Sequence, residues 1–389
     1  MPLGSQEDGD DCSVNRRKYL KLAGVSVAAS EGLAGCIGGL VGGGGSSNNG
    51  GGDNSGSNSG GGNDIAWKKD LGTDFQFWTI TNAVLGRDSF FPATYFVTEG
   101  STVGFHLKNT DSEKHDFSID AFDVGADHKA GTVSHIEFKA DKVGIHEIYC
   151  DIHPPWMRGQ LVVLPKDGGP IPAADSRDLY IVGSMLDQPG SRKAFFPGMN
   201  VVTEGEDVTI HFKNTSDMKH DFSIDAFDIG ADHKAKTTST MNFTADKVGI
   251  HKIYCDLHPP WMQAQLLVLP KDGDWSRIEG QDSRDLYINP TGIGKRDSFF
   301  PATWAVKQGE NVTAHIWNTD PDGAKHDFSI DAFNVEGDHK QGVKDTVPFT
   351  ADKGGIIRMY CDIHPPEMNG QLLVIPKEKG KMPVRGYSG

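Results

Sequence analysis

The sequence predicts an all-β protein with three β-sandwich domains in tandem. Short segments of alternating polar and apolar residues are separated by turn residues at close spacing, and helical periodicity is almost absent. The segment YCDIHPPWM, which begins at Tyr149, returns in nearly the same form at Tyr254 and at Tyr360, after 105 and then 106 residues. Self-similarity at a fixed period indicates copies of one structural unit, so we expect three domains of the same fold.

A leader occupies residues 1–35 and is predicted to direct export. Arg16 and Arg17 in NRRKYLK resemble the pair of a twin-arginine signal, and LAGC, which ends at Cys36, resembles the lipobox at which a cysteine is lipidated. No apolar run in the leader reaches the roughly 18 residues that a spanning helix needs, so lipid on Cys36 would anchor the protein to the membrane. The alternative is a disordered N-terminus with a chance arginine pair.

Residues 36–66 are dominated by Gly, Ser and Asn. Such a segment cannot bury enough apolar surface to offset its loss of conformational entropy, so it is predicted to be a flexible tether. Together with the leader, the tether would hold the folded domains at the extracytoplasmic face of the membrane and let them reorient between partners.

The three repeats span residues 67–168, 175–272 and 282–378. Each begins with a strand-like run, continues through a shared FFP to a glycine, and then enters an alternating strand, TVGFHLKNT in the first repeat. In that strand Val103, Phe105 and Leu107 are predicted to face the core, and the polar residues between them the other side. The segment KHDFSIDAF, a loop containing DHK, a strand that ends in YC and the closing strand GQLVVLP complete the unit.

Each repeat carries four potential metal ligands of three chemical types. In the first repeat they are His115, Cys150, His153 three residues later, and Met157 four residues after that. Two histidines, one cysteine and an axial methionine are the ligands of blue-copper electron-transfer centres. Zinc is disfavoured because thioether is a poor zinc ligand. A nucleophilic cysteine activated by a histidine is the other alternative, but it gives the methionine no role.

The order of these motifs resembles the cupredoxin family, above all its plastocyanin-like and halocyanin-like electron carriers. The resemblance rests on a histidine after an Asn-Thr turn, on Y-C-x-x-H-x-x-x-M and on a final strand that ends in proline, three times between residues 75 and 377. It implies Greek-key β-sandwiches, each with one type 1 copper ion. The implied ligands are His115, Cys150, His153 and Met157; His220, Cys255, His258 and Met262; and His326, Cys361, His364 and Met368.

The resemblance also implies where electrons enter and leave each domain. In this family the histidine of the Cys-His-Met loop is usually the partly exposed ligand, so the electron ports would be His153, His258 and His364. The docking patch of the first domain would include the residues that follow its port, Pro154, Pro155 and Trp156. The third repeat has Glu367 in place of this tryptophan, so its exposed edge or its potential is expected to differ.

Three such domains in one chain also resemble multicopper oxidases and copper nitrite reductases, which gives an enzymatic alternative. In those enzymes a histidine next to the type 1 cysteine binds a second copper, whereas here every ligand cysteine lies between tyrosine and aspartate, and His-x-His pairs are absent. One histidine per repeat on the alternating strand could still converge on an interdomain metal, unless these are surface or interface residues. These histidines are His106, His211 and His315.

Three further histidines, each after an aspartate, are predicted to be hydrogen-bonded loop residues. They are His128, His233 and His339.

The net charge limits the classes of partner, and the cysteine content limits the possible disulfides. The net charge of −15 argues against nucleic acid or an anionic membrane surface as the main partner. Of the five cysteines, three are predicted copper ligands and two lie near the N-terminus, so the ligand cysteines are not expected to form disulfides.

We therefore predict a lipid-tethered copper protein that exchanges electrons with redox partner proteins. The alternatives are an oxidase-like or nitrite-reductase-like enzyme and a copper buffering or delivery protein.

Overall fold

The computed structural model describes residues 69–84, 87–185, 193–293 and 296–385. The predicted export signal (1–35) and tether (36–66) lie outside the described residues. Strands account for 56% of the structure and helices for 4%, so the all-β prediction is confirmed. Among the residues described, no helix has the length and apolar character needed to cross a membrane.

The first domain is a sandwich of two sheets. Its strands are β1 (Phe75–Val84), β2 (Arg87–Phe91), β3 (Thr94–Thr98), β4 (Thr102–Asn109), β5 (His115–Ile119), β6 (Val124–His128), β7 (Val133–Lys139), β8 (Gly144–Tyr149) and β9 (Arg158–Leu164). One sheet has the order β2-β1-β4-β7 and the other the order β3-β9-β8-β5-β6. A 3₁₀ turn, Asp120–Phe122, follows β5. The order of strands departs from the order in sequence, because the chain crosses between the sheets several times.

The second domain repeats this topology strand for strand. Its strands are β10 (Ser176–Met185), β11 (Lys193–Phe196), β12 (Met199–Thr203), β13 (Asp207–Asn214), β14 (His220–Ile224), β15 (Ile229–His233), β16 (Thr238–Thr244), β17 (Gly249–Tyr254) and β18 (Gln263–Leu269). The sheets are β11-β10-β13-β16 and β12-β18-β17-β14-β15. The 3₁₀ turn is Asp225–Phe227.

The third domain follows the same plan with shorter strands near the ligand histidine. Its strands are β19 (Ser283–Ile293), β20 (Arg296–Phe300), β21 (Thr303–Lys307), β22 (Asn311–Trp317), β23 (His326–Asp327), β24 (Asp338–His339), β25 (Lys344–Thr350), β26 (Gly355–Tyr360), β27 (Asn369–Ile375) and β28 (Val384–Arg385). The sheets are β20-β19-β22-β25, β21-β27-β26-β28 and the pair β23-β24. A bridge between Ser329 and Tyr360 joins the short pair to β26. The 3₁₀ turns are Asp331–Phe333 and, before this domain, Trp275–Arg277.

The alternating strand buries its apolar face as predicted, but in the first domain it buries the opposite face too. Val103, Phe105 and Leu107 are buried. His106 is also fully buried, because Trp78 stacks on its ring at 4.7 Å and the ring of His135 lies 4.9 Å away. In the second domain a threonine occupies the cross-strand position of His135, and β13 alternates between buried and half-buried residues.

Three phenylalanines, one from each domain, stack where the domains meet. The ring centroid of Phe91 lies 5.5 Å from that of Phe300 and 5.9 Å from that of Phe196, and the last two lie 6.0 Å apart. Each is the second phenylalanine of an FFP motif. The repeated motif therefore marks an approximate threefold axis, around which the domains pack directly on one another.

A glutamine from the last sandwich strand of each domain, buried in the second and third domains and half-buried in the first, links that domain to the next. Its side-chain amide accepts from a backbone N–H of the next domain and donates to the C=O of the same residue, at 2.7–3.0 Å. The three pairs are Gln160 with Val201, Gln265 with Ala305, and Gln371 with Phe96. Because the third domain reaches the first in the same way that the first reaches the second, the arrangement is cyclic.

The linkers between domains are part of the core. Trp275 of the second linker is fully buried, in one apolar cluster with Ile171 of the first linker, Met382 of the C-terminal segment and core residues of all three domains. Its indole Nε1 donates to the carbonyl of Gly380 at 3.1 Å. The linkers therefore help to form the apolar core that the three domains share.

Candidate metal centres

Each predicted site forms where the upstream histidine strand meets the ligand loop. In the first domain β5 pairs with β8 at Ser118 and Tyr149, which places His115 beside the loop that starts at Cys150. The loop closes on itself, because the N–H of Cys150 donates to the carbonyl of Met157 at 3.1 Å. The corresponding distances are 3.1 Å and 3.0 Å in the other domains, between Cys255 and Met262 and between Cys361 and Met368.

The structure brings two imidazoles and one thiol together in every domain. The Nδ1 atoms of the two histidines lie 3.0 Å apart in the first and second sites and 3.1 Å apart in the third. The cysteine Sγ lies 3.6, 3.3 and 3.6 Å from Nδ1 of the loop histidine in the same order. The three groups are His115, Cys150 and His153; His220, Cys255 and His258; and His326, Cys361 and His364.

These distances fit a single metal ion in each group. Bonds from a metal to imidazole nitrogen are about 2.0 Å long, so nitrogen atoms about 3 Å apart can share one ion. Met157, Met262 and Met368 are buried at the end of each loop, as an axial ligand must be. The upstream histidine is fully buried, whereas the side chains of His153 and His364 are 19% and 23% exposed. Each site therefore has one ligand at the protein surface.

A residue that sequence reasoning missed holds the cysteine in place. In the first domain the N–H of Asp116 donates to Cys150 Sγ at 3.5 Å, and Oδ1 of the same residue lies 3.1 Å from the sulfur and accepts from the N–H of Ile152 at 3.3 Å. Asp221 and Asp327 take the same position in the other domains. The available signal was the repetition of KHD, in which this aspartate follows the ligand histidine each time.

Without a metal, burial favours a protonated thiol in every site and neutral imidazoles in the middle site. Burial raises the pKa of Cys150 to about 11 and the pKa values of Cys255 and Cys361 to about 12. Burial, with help from His258, lowers the pKa of His220 to about 4. Burial also lowers the pKa of His364.

Loading the metal-free middle site with Cu(I) at neutral pH is expected to release one proton, which comes from Cys255. The thiolate is the ligand, and the raised pKa keeps the free thiol protonated; His220 is already neutral and releases none. The apparent affinity of this site should therefore fall about tenfold per pH unit as the pH decreases. Anaerobic calorimetry in two buffers of different ionisation enthalpy measures the proton count, and a count near zero would contradict the argument.

The outer nitrogens of the ligand histidines have different partners in the three domains. Nε2 of the upstream histidine lies 2.5 Å from Asp111 Oδ2 in the first site, 2.8 Å from Ser216 Oγ in the second and 3.5 Å from Asp320 Oδ2 in the third. In the first two sites, a hydrogen bond at this nitrogen fixes the ring orientation that leaves Nδ1 free for a metal.

The histidines of the alternating strand are not brought together. Among the described residues, His106, His211 and His315 belong to none of the groups whose possible ligand atoms lie within 4.8 Å of one another. Nε2 of His211 lies 2.8 Å from Asp178 Oδ1 and that of His315 lies 2.8 Å from Asp285 Oδ1, in both cases within one domain.

The histidines of the DHK segments lie on strands, not in loops as predicted. They end β6, β15 and β24 and pair across the sheet with the upstream ligand histidines. Nδ1 of His233 lies 2.6 Å from Ser239 Oγ, and Nδ1 of His339 lies 2.8 Å from Asp345 Oδ2. Both ring nitrogens of His128 are buried without a hydrogen-bond partner, so the predicted hydrogen bonding holds only for the other two. This pairing explains why the histidines recur in all three repeats: each lies opposite the upstream ligand histidine of its own domain on the neighbouring strand.

Comparison with known proteins agrees with three repeats of one domain. A sequence model of the cupredoxin-like domain matches residues 79–163, 191–268 and 293–374. No curated protein sequence matches the chain. Among solved structures, a copper-containing nitrite reductase from Thermus scotoductus SA-01 is 16% identical over 77% of this chain and 98% of that one, with a TM-score of 0.23.

Two further structures give similar values. A multicopper oxidase is 17% identical over 51% of this chain and 88% of that one, with a TM-score of 0.24. A copper nitrite reductase from Nitrosomonas europaea is 18% identical over 50% and 93%, with a TM-score of 0.25. At TM-scores this low, the structural likenesses carry no argument about function.

Proposed function

The chain belongs to the cupredoxin-like domain family, whose model matches all three repeats, and from this membership we propose that the protein carries electrons through three type 1 copper centres. Copper bound in each site would alternate between Cu(I) and Cu(II). The chain's own residues would hold the ion through two histidines and a thiolate, with the buried methionine as a weak axial ligand.

One observation carries the proposal: the same three ligand side chains come together in every domain, and among them only the loop histidine reaches the surface. The upstream histidine and the cysteine are buried, and the carbonyl of the loop histidine accepts from the methionine N–H in each loop at 3.2–3.3 Å. The Pro-Pro pair after the loop histidine restricts the backbone further. A closed, stiff site suits the transfer of an electron through the histidine edge better than the binding of a substrate at the metal.

The surface around the loop histidine suits a protein partner. The residue just before it is one of the few large apolar side chains that are exposed: Ile152 at 45%, Leu257 at 46% and Ile363 at 41%. An exposed apolar side chain beside the electron port favours a short-lived contact with a redox partner. We place these contacts on the extracytoplasmic side of the membrane, where lipid on Cys36 would hold the protein.

The enzymatic alternative needs a copper site beyond these three. Within the described part of the chain, the two other groups that could hold a metal each reuse a ligand histidine, His115 or His326, with two aspartates. The tyrosine before each ligand cysteine donates its hydroxyl at 2.5 Å to an aspartate of the nearby 3₁₀ turn, through the pairs Tyr149–Asp120, Tyr254–Asp225 and Tyr360–Asp331. Tyrosine and aspartate, and not histidine, lie next to every ligand cysteine, and this favours the carrier over the oxidase-like or nitrite-reductase-like enzyme.

Copper content and the visible spectrum of the copper-loaded protein test the proposal. We expect three coppers per chain and an intense charge-transfer band from thiolate to Cu(II), which a reductant bleaches completely. More than three coppers, with a residual Cu(II) signal that lacks this band, would favour the enzyme. Readily exchanged copper without the band would favour buffering or delivery.

A further inference from the structure

The three sites share one ligand set but differ in the charges around the histidine pair. Two sequence positions account for the difference. The first lies two residues before the FF pair and holds Asp88, Lys193 and Asp297 in the three domains. The second follows the Asn-Thr turn and holds Asp111, Ser216 and Asp320. The outer domains thus have two aspartates where the middle domain has a lysine and a serine.

In the first site, carboxylates reach the outer nitrogens of both ligand histidines. Asp111 Oδ2 lies 2.5 Å from Nε2 of His115. Nε2 of His153 lies 3.1 Å from Glu113 Oε2 and 3.9 Å from Asp88 Oδ2. Both histidines that would hold the copper therefore contact negative charge.

The third site has the same arrangement, built from the equivalent positions. Asp320 Oδ2 lies 3.5 Å from Nε2 of His326, and Asp297 Oδ2 lies 3.4 Å from Nε2 of His364. Both aspartates are at most a quarter exposed, so solvent screens their charge only in part. In both outer sites, therefore, at least one carboxylate lies near each ligand histidine.

The middle site has no such carboxylate. Nε2 of His220 pairs with the hydroxyl of Ser216 at 2.8 Å, and among the described residues no carboxylate oxygen lies within 4.0 Å of His258. Lys193 begins β11, at the position that Asp88 takes in β2 and Asp297 in β20. The middle site therefore has an ammonium group where each outer site has a carboxylate.

We infer that the copper of the middle domain has the highest reduction potential of the three, and that Lys193 and Ser216 set this order. Cu(II) carries one positive charge more than Cu(I), so nearby carboxylates stabilise the oxidised ion and a nearby ammonium destabilises it. An electron that reaches either outer copper would then move to the middle copper: the middle ion would change from Cu(II) to Cu(I), and the outer ion would return from Cu(I) to Cu(II). The middle domain packs against both outer domains.

This inference rests on the proposed function, and redox titration of single-copper proteins tests it. Three variants each keep one ligand cysteine and have serine at the other two ligand-cysteine positions. We expect the protein that keeps Cys255 to have the highest potential and the other two to lie lower. Coincident potentials, or a middle site that is not the highest, would overturn the inference.

Exchanging the residues at these two positions between domains tests whether they cause the difference in reduction potential. In the protein that keeps Cys255, Lys193→Asp with Ser216→Asp is expected to lower the potential toward that of the outer sites. In the protein that keeps Cys150, Asp88→Lys with Asp111→Ser should raise it. Should the exchanged proteins not fold, Lys193→Gln alone removes one positive charge and should still lower the middle potential. An unchanged potential in Lys193→Gln would overturn the role of this lysine.

A matched control makes the same charge change away from the site. Lys271 is exposed and follows β18 at the end opposite the ligand loop, so Lys271→Gln should leave the middle potential unchanged. A shift as large as that of Lys193→Gln would overturn the assignment to these positions. Failure of the proposed function has a different signature, because the unmodified protein would then lack copper or its charge-transfer band.

Discussion

Replacing Cys255 by serine is expected to remove one of the three coppers and about one third of the charge-transfer absorption. Serine has nearly the same shape, but its hydroxyl does not form the soft, strongly coloured bond that a thiolate forms with copper. The other two sites should keep their copper, because each domain supplies all of its own ligands and its own loop closure. Copper analysis and visible spectroscopy of the purified variant measure both quantities.

The chain supplies matched comparisons for this experiment. Cys150→Ser and Cys361→Ser should cause the same fractional loss, since each cysteine is buried and lies beside the Nδ1 atoms of two histidines. Val343→Ala, at an exposed position of the third domain, should lose no copper. Loss of all three coppers from any single cysteine variant would show that the sites are not independent, which would contradict this account.

The sequence predicted the domains and the ligand groups because both depend on short, repeated patterns. Period-two alternation predicted the strands, and the spacing of Cys150, His153 and Met157 indicated a loop that could close on one ion. The structure confirms the all-β fold and places the histidines and the cysteine of each group together. Ligation by the methionines and the export signal remain predictions.

The closed ring of domains could not be predicted in this way. Gln371 and Phe96 are 275 residues apart in the chain, yet the glutamine side chain makes two hydrogen bonds to the phenylalanine backbone. In sequence, such a glutamine is only another polar residue in a strand. The FFP motif was recognised as a repeat, but nothing in its pattern shows that Phe91, Phe196 and Phe300 stack on each other.

The charge differences between the sites could not be predicted from the sequence either. Asp88 lies 27 residues from His115, and two strands, β3 and β4, separate them. Only the fold shows which few acidic residues of a chain with net charge −15 lie at the histidine pair, and that Asp88 is one of them. The prediction that the third site would differ rested on Glu367, but Arg296 lies 3.3 Å from that carboxylate and offsets its charge.

Replacing Trp275 by alanine is expected to lower the free energy of unfolding by about 3–5 kcal/mol, the range for a large aromatic side chain removed from a packed core. Trp275 is fully buried in the cluster that all three domains share, so its loss leaves a cavity that no single domain can fill by moving alone. The variant also loses the hydrogen bond from the indole to Gly380. Unfolding in urea, followed by fluorescence or circular dichroism, measures the change.

The copper sites should be intact in this variant, because Trp275 belongs to none of the ligand groups. Trp275→Phe keeps most of the apolar volume and should therefore cost less than the alanine variant. Val343→Ala, at an exposed position, should change the unfolding free energy by no more than about 0.5 kcal/mol. If Trp275→Ala behaved like that surface variant, the linkers would be mere connections, and the three domains would unfold independently rather than through the core they share.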